Sequence, residues 1–157
     1  MRALFKMTRE EVQAIRERSE AIQKMCIDEE IEKGDFLFVD HHLPRKSGTD
    51  KHFLDETSWD LSDEEMRFVK EGLQMLEKYH KAFYAGTLES GADILPLWLA
   101  FPLYPRDTMG WRMGAGEDYG MKWVSWFGGL SEEEQRKYNE KFPMPDYWAM
   151  VGLTTKQ

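Results

Sequence analysis

Apolar residues recur at helical spacing in two long stretches, and each stretch opens on the same kind of start signal. Thr8-Arg9-Glu10-Glu11 reads as a capping box: the threonine oxygen takes one unpaired amide of the first turn and the glutamate reaches back to another. Behind it Val12, Ile15, Ile22 and Met25 or Cys26 form one stripe. Ser19 fills the gap, and Arg16, Glu17, Arg18, Glu20 and Lys24 face water. Ser62-Asp63-Glu64-Glu65 opens the second helix, which carries Met66, Val69, Leu73, Leu76, His80 and Phe83 on one face and stops at Gly86. Gly72 sits mid-helix, where it costs up to about 1 kcal/mol against alanine, so another element is expected to pass close to it.

Between these helices the pattern changes. Asp28, Glu29, Glu30 and Glu32 would oppose the macrodipole at the end of one continuous helix, which predicts a break near 26–28 and a short second turn ending at Gly34. Phe36-Leu37-Phe38-Val39 is the best strand candidate, without an evident partner. Residues 40–60 are polar and rich in turn signals, as in a loop or irregular hairpin. Ile94 to Phe101 is apolar on every side, which fits a buried segment, extended or a single helical turn.

Pro102, Pro105, Gly110, Gly114 and Gly116 mark 103–116 as an ordered loop. Glu117 and Asp118 then open a helix with Tyr119, Trp123 and Phe127 at helical spacing and a stop at Gly128-Gly129. Ser131-Glu132-Glu133-Glu134 is a third capping box. After the Pro143-Met144-Pro145 break, a last turn should hold Tyr147, Trp148 and Val151 on the core, and 154–157 should fray. The pattern as a whole predicts a mainly α fold: one compact helical domain over residues 1–157, at most a short β-hairpin or isolated strands, and an aromatic-rich C-terminal third.

A chain of 157 residues needs no staple to bury a core, and with Cys26 as its single cysteine it can build neither an intrachain disulfide nor a thiolate-rich zinc site. The longest apolar run, 94–103, is broken by Pro96 and Pro102 and is shorter than the roughly 20 residues needed to cross a bilayer. The first residues turn charged at once, unlike a signal peptide, and the expectation is a cytoplasmic protein without membrane contact. A formal charge of -8 argues against nucleic acid, whose phosphates are met by lysine and arginine, and suits a basic protein partner.

Two constellations carry candidate chemistry. Asp40, His41 and His42, with His52 nearby, supply imidazole and carboxylate suited to a divalent metal such as zinc or manganese. The Asp-His-His triplet after an apolar strand looks like one motif of the DHH phosphoesterases. That family also uses earlier aspartates on a parallel sheet, where this chain has a helix, so the resemblance is not adopted.

The second constellation is Trp111 and Arg112, with Trp98 and Arg106 upstream and Glu117 and Asp118 downstream, an aromatic and guanidinium pocket for a ligand or partner. Its glycines do not form a phosphate loop: the spacing is wrong, and Glu117 and Asp118 stand where a phosphate would sit. No catalytic signature stands out. The expected function is therefore a non-enzymatic, cofactor-free protein-interaction domain, small and acidic, of the accessory, inhibitor or immunity type found in bacteria or phage. The alternatives are a metal-dependent hydrolase built on Asp40, His41, His42 and His52, and a small-ligand binder around Trp111 and Arg112.

Overall fold

The computed structural model describes residues 6–47, 54–104, 114–149 and 154–155. The predicted mainly α architecture is what these residues form. Helix α1 (Arg9–Met25) is capped by Thr8, whose hydroxyl accepts from the Glu11 amide, and buries the predicted stripe of Val12, Ile15, Ser19 and Ile22. Helix α2 (Asp63–Ala85) begins with the full Ser62/Glu65 capping box and ends at Gly86 with φ 70°, a left-handed conformation that glycine adopts without penalty. Pairing α1 with α2 explains Gly72. A β-carbon there would lie 2.5 Å from Ile22 Cδ1 and 2.8 Å from Arg18 Cγ, so the helices reach their separation only because that side chain is absent.

The buried face of α2 is rotated from the predicted one: Val69, Gly72, Leu76, Tyr79 and Ala82 point inward, while Leu73, His80 and Phe83 flank them half-buried. Tyr79 takes an interior position because its hydroxyl finds partners there. It accepts the Leu95 amide at 2.8 Å and contacts the Tyr119 hydroxyl at 2.8 Å, and Tyr119 in turn donates to the Leu95 carbonyl at 2.6 Å. Since a carbonyl can only accept, the proton of Tyr119 is committed to Leu95, and Tyr79 must donate to Tyr119. Two buried phenols thus close a ring of hydrogen bonds around one residue's backbone. Burial raises the pKa of both phenols, Tyr79 to about 12 and Tyr119 well above the ordinary phenol value.

The apolar segment 94–101 contains a single helical turn, α3 (Leu97–Ala100), whose Leu99 carbonyl accepts from the buried Ser19 hydroxyl at 2.5 Å. Helix α4 (Ala115–Gly128) starts from Gly114 at φ 76°, and α5 (Glu132–Lys141) starts from the third capping box. Helix α6 (Asp146–Ala149) sets Tyr147 and Trp148 into the core, as expected, while Val151 lies outside the described residues. The main core joins α1, α2, α3, α4 and α6. A second, smaller cluster of Ile22, Leu43, Trp59, Val69 and Leu103 lies beneath the chain that follows β2. Met7, ahead of α1, bridges to the segment after α2: its amide donates to Thr87 O at 2.9 Å, and its carbonyl accepts from the Glu89 amide at 2.8 Å.

Two expectations are corrected. The acidic run is not a helical turn but strand β1 (Ile27–Lys33), antiparallel to β2 (Phe36–His42) along its whole length, from Lys33↔Phe36 to Ile27↔His42. Gly34, at φ 61°, and Asp35 form the two-residue turn between them, the arrangement that favours glycine in a tight hairpin. Thr154 and Thr155, predicted to fray, instead form β3 against Leu37 and Phe36 on the other edge of β2. Pairing supplies the backbone partners that their composition does not advertise. The polar stretch after β2 is zipped at its ends by an Arg45↔Trp59 bridge, with Lys46 N to Ser58 O at 2.8 Å and Asp60 N to Pro44 O at 2.7 Å.

Candidate functional site

The β1–β2 hairpin sorts its charged residues by strand alternation. Residues directly opposite in an antiparallel pair share a face, so Asp28 joins His41 on one side, while Glu29, Asp40 and His42 share the other. The two histidines expected to converge on a metal therefore point to opposite faces of β2.

His41 is buried with its ring flat on Tyr147, the centroids 3.6 Å apart and the planes within 3°. Its Nδ1 lies 2.6 Å from Asp28 Oδ1, and its Nε2 has no hydrogen-bond partner among the described residues. Burial holds the His41 pKa below the ordinary imidazole range, although Asp28 pulls the other way. A carboxylate on one ring nitrogen and a lone pair on the other is the arrangement of a general base. Here the Nε2 atom is buried in the protein and Tyr147 covers the ring face, which closes the pair to a substrate.

The opposite face carries the second histidine. His42, with a side chain only 5% exposed, places Nδ1 2.8 Å from the Leu43 carbonyl and Nε2 2.9 Å from Glu29 Oε2. Asp40 Oδ2 stands 3.9 Å from the same Nε2 and 3.6 Å from Arg45 Nη2. One potential ligand atom from each of Glu29, Asp40 and His42 falls within 4.8 Å of the others. Glu29 was not a candidate in the sequence, because the acidic run reads as helix there. Gly34-Asp35 between two runs was the turn signal that could have paired the strands and revealed it.

An apolar groove of about 570 Å³ runs along α4. It is lined by Leu97 of α3, by Glu117, Gly120, Met121 and Val124 of α4, and by Trp148 of α6. Met121 and Val124 are 67% and 60% exposed, unusually open for residues of their kind. Of the predicted ligand- or partner-binding residues, Glu117 lines this groove and Asp118 is exposed one residue along. Trp98 instead lies in the core, its ring 5.8 Å from that of Trp148, so it supports the floor rather than meeting a ligand. Arg106, Trp111, Arg112 and His52 fall outside the described residues.

Cys26 caps the end of α1 with its Sγ 3.6 Å from Ile22 O, and burial pushes its thiol up to about 12, which removes it as a nucleophile. No helix among the described residues is long and apolar enough to cross a membrane. Comparison of the chain with protein-family models, curated proteins and solved structures finds no match.

Proposed function

We propose that the protein is a non-enzymatic partner-binding domain, and that its partner presents a basic, amphipathic segment to the α4 groove. The observation that carries the reading is the pair Met121 and Val124, one helical turn apart, exposed beside Trp148 and Leu97 at the groove. Gly120 keeps the floor low, and methionine adapts to the shape of whatever packs on it. Among the described residues Glu117 is the only ionisable side chain lining the groove, Asp118 stands beside it, and the whole chain carries a formal charge of -8. An apolar stripe flanked by lysine or arginine matches that surface in both respects. Among the described residues the lining pairs no nucleophile with a base, and the Asp28–His41 pair of general-base geometry is buried with its ring face under Tyr147.

Display selection of peptides on the immobilised protein tests the proposal, with Met121→Asp/Val124→Asp as the control. Both sites are exposed, so the double variant should keep its melting temperature nearly unchanged. Selected sequences should be amphipathic and basic, and should bind the variant about tenfold or more weakly. Peptides that bind both proteins equally would overturn the assignment. So would a wild-type dimer that the double substitution dissociates, since that gives the face to a second copy of the chain.

A further inference from the structure

We infer that Glu29, Asp40 and His42 form a binding site for a divalent transition-metal ion of the zinc or manganese class, separate from the α4 groove and independent of its function. The argument starts from the tautomer of His42. The Leu43 carbonyl, 2.8 Å from Nδ1, can only accept, so Nδ1 carries a hydrogen. That bond lies outside the cluster, and it leaves Nε2 of a nearly fully buried imidazole aimed at two carboxylates. Neutral imidazole would then present a lone pair to Glu29 Oε2 at 2.9 Å, an acceptor facing an acceptor. A hydrogen on Nε2 completes this contact at its present length, and a metal ion would take that hydrogen's place with both ligand atoms turned onto it.

The surroundings resemble a metal site in a second respect. A ligating histidine commonly donates its other ring hydrogen to a backbone carbonyl, which fixes both the ring and the tautomer, and Leu43 does this here. The donor set also selects the ion. One imidazole nitrogen with two carboxylate oxygens suits a borderline first-row metal, whereas calcium and magnesium prefer oxygen alone.

Two carboxylates and a neutral imidazole contribute a charge of about -2, which a divalent ion cancels. Metal bonds of about 2.0 to 2.2 Å set ligands roughly 3.5 Å apart, so binding would draw the Asp40 carboxylate inward and open the 2.9 Å contact between His42 and the exposed Glu29. Arg45, 3.6 Å from Asp40 Oδ2, is the competing cation, and it can move to the other carboxylate oxygen. Three protein ligands leave at least one position for water.

Calorimetric titration of the chelator-treated full chain with zinc and manganese chloride tests the site, with calcium and magnesium chloride as controls. The expected result is one high-affinity site for the transition metals, weakened about tenfold or more by Glu29→Gln and by Asp40→Asn. Long-range proton–nitrogen spectra should show His42 Nε2 shifting on zinc addition while Nδ1 keeps its hydrogen. Glu29 is exposed, so its variant should remain folded by circular dichroism even if Asp40→Asn does not. Three results would overturn the assignment: absence of a stoichiometric site, affinity unchanged in Glu29→Gln, or equal binding of calcium and zinc.

Discussion

The tyrosine ring around Leu95 and the histidine face of the hairpin both bring polar side chains together, but they finish the job differently. Around Leu95 every donor is used: amide to Tyr79, Tyr79 to Tyr119, Tyr119 to carbonyl, all at 2.6 to 2.8 Å and away from water. On the hairpin, His42 turns a nitrogen toward two carboxylates, and Glu29 remains 60% exposed. A closed polar cycle stabilises one conformation and offers nothing to a ligand. An incomplete one near the surface is where an ion can enter. Residue type alone does not separate the cases; what separates them is whether donors and acceptors balance.

The largest test of this contrast is Tyr119→Phe. It strips a donor from the Leu95 carbonyl and an acceptor from the Tyr79 hydroxyl, two buried groups, and should cost about 2 to 4 kcal/mol in urea denaturation. A loss below about 0.5 kcal/mol would mean that the cycle is not closed in solution. Gly72→Ala should cost less, about 1 to 2 kcal/mol net. The gain in helix propensity is outweighed by the clash with Ile22 and with Arg18, whose guanidinium is held by the Phe68 carbonyl and stacked on the Phe68 ring. An unchanged or higher stability would show that the two helices can separate without penalty.

His80 gives a smaller effect with a definite sign. Burial lowers its pKa, opposed by the bond from Nε2 to Ala100 O at 2.8 Å and by Glu77. The unfolded chain therefore binds this proton more readily than the folded one. The associated stability is present above about pH 6.5 and is lost as pH falls below it. His80→Gln keeps a donor for Ala100 and should flatten the decline in stability between pH 7 and pH 5.5. Equal slopes in the two proteins would remove His80 as the cause. The smallest change belongs to the hairpin: without added metal, Glu29→Gln should alter stability by less than about 1 kcal/mol at pH 7, because an exposed partner contributes little.

Much of the helical body was legible because its signals are local. Thr8, Ser62 and Ser131 start helices, and Gly86 ends one, through bonds that reach no further than a turn. Gly72 announced a close approach, though not by which residue. The hairpin was hidden because Asp28, Glu29 and Glu30 are poor strand formers by composition, and their place depends on a partner strand and a two-residue turn. Once the turn at Gly34-Asp35 is recognised, alternation alone separates His41 from His42 and brings Glu29 to Asp40. The α4 groove could not be read in advance, since Leu97 and Trp148 reach it from distant parts of the chain.

The bridge at Met7 has a kinetic consequence. Together with Arg9 N to Glu89 and Ser19 to Leu99, each joining residues 80 apart in sequence, it seals α1 across the full span of the hairpin and α2. Local helices can form quickly, but these closures must wait for the intervening chain to collapse, and contacts of such separation slow folding. The amides of Met7 and Glu89 lie at the seam. Their hydrogen exchange should track detachment of α1 from the body, so these two backbone positions would time the last step of assembly.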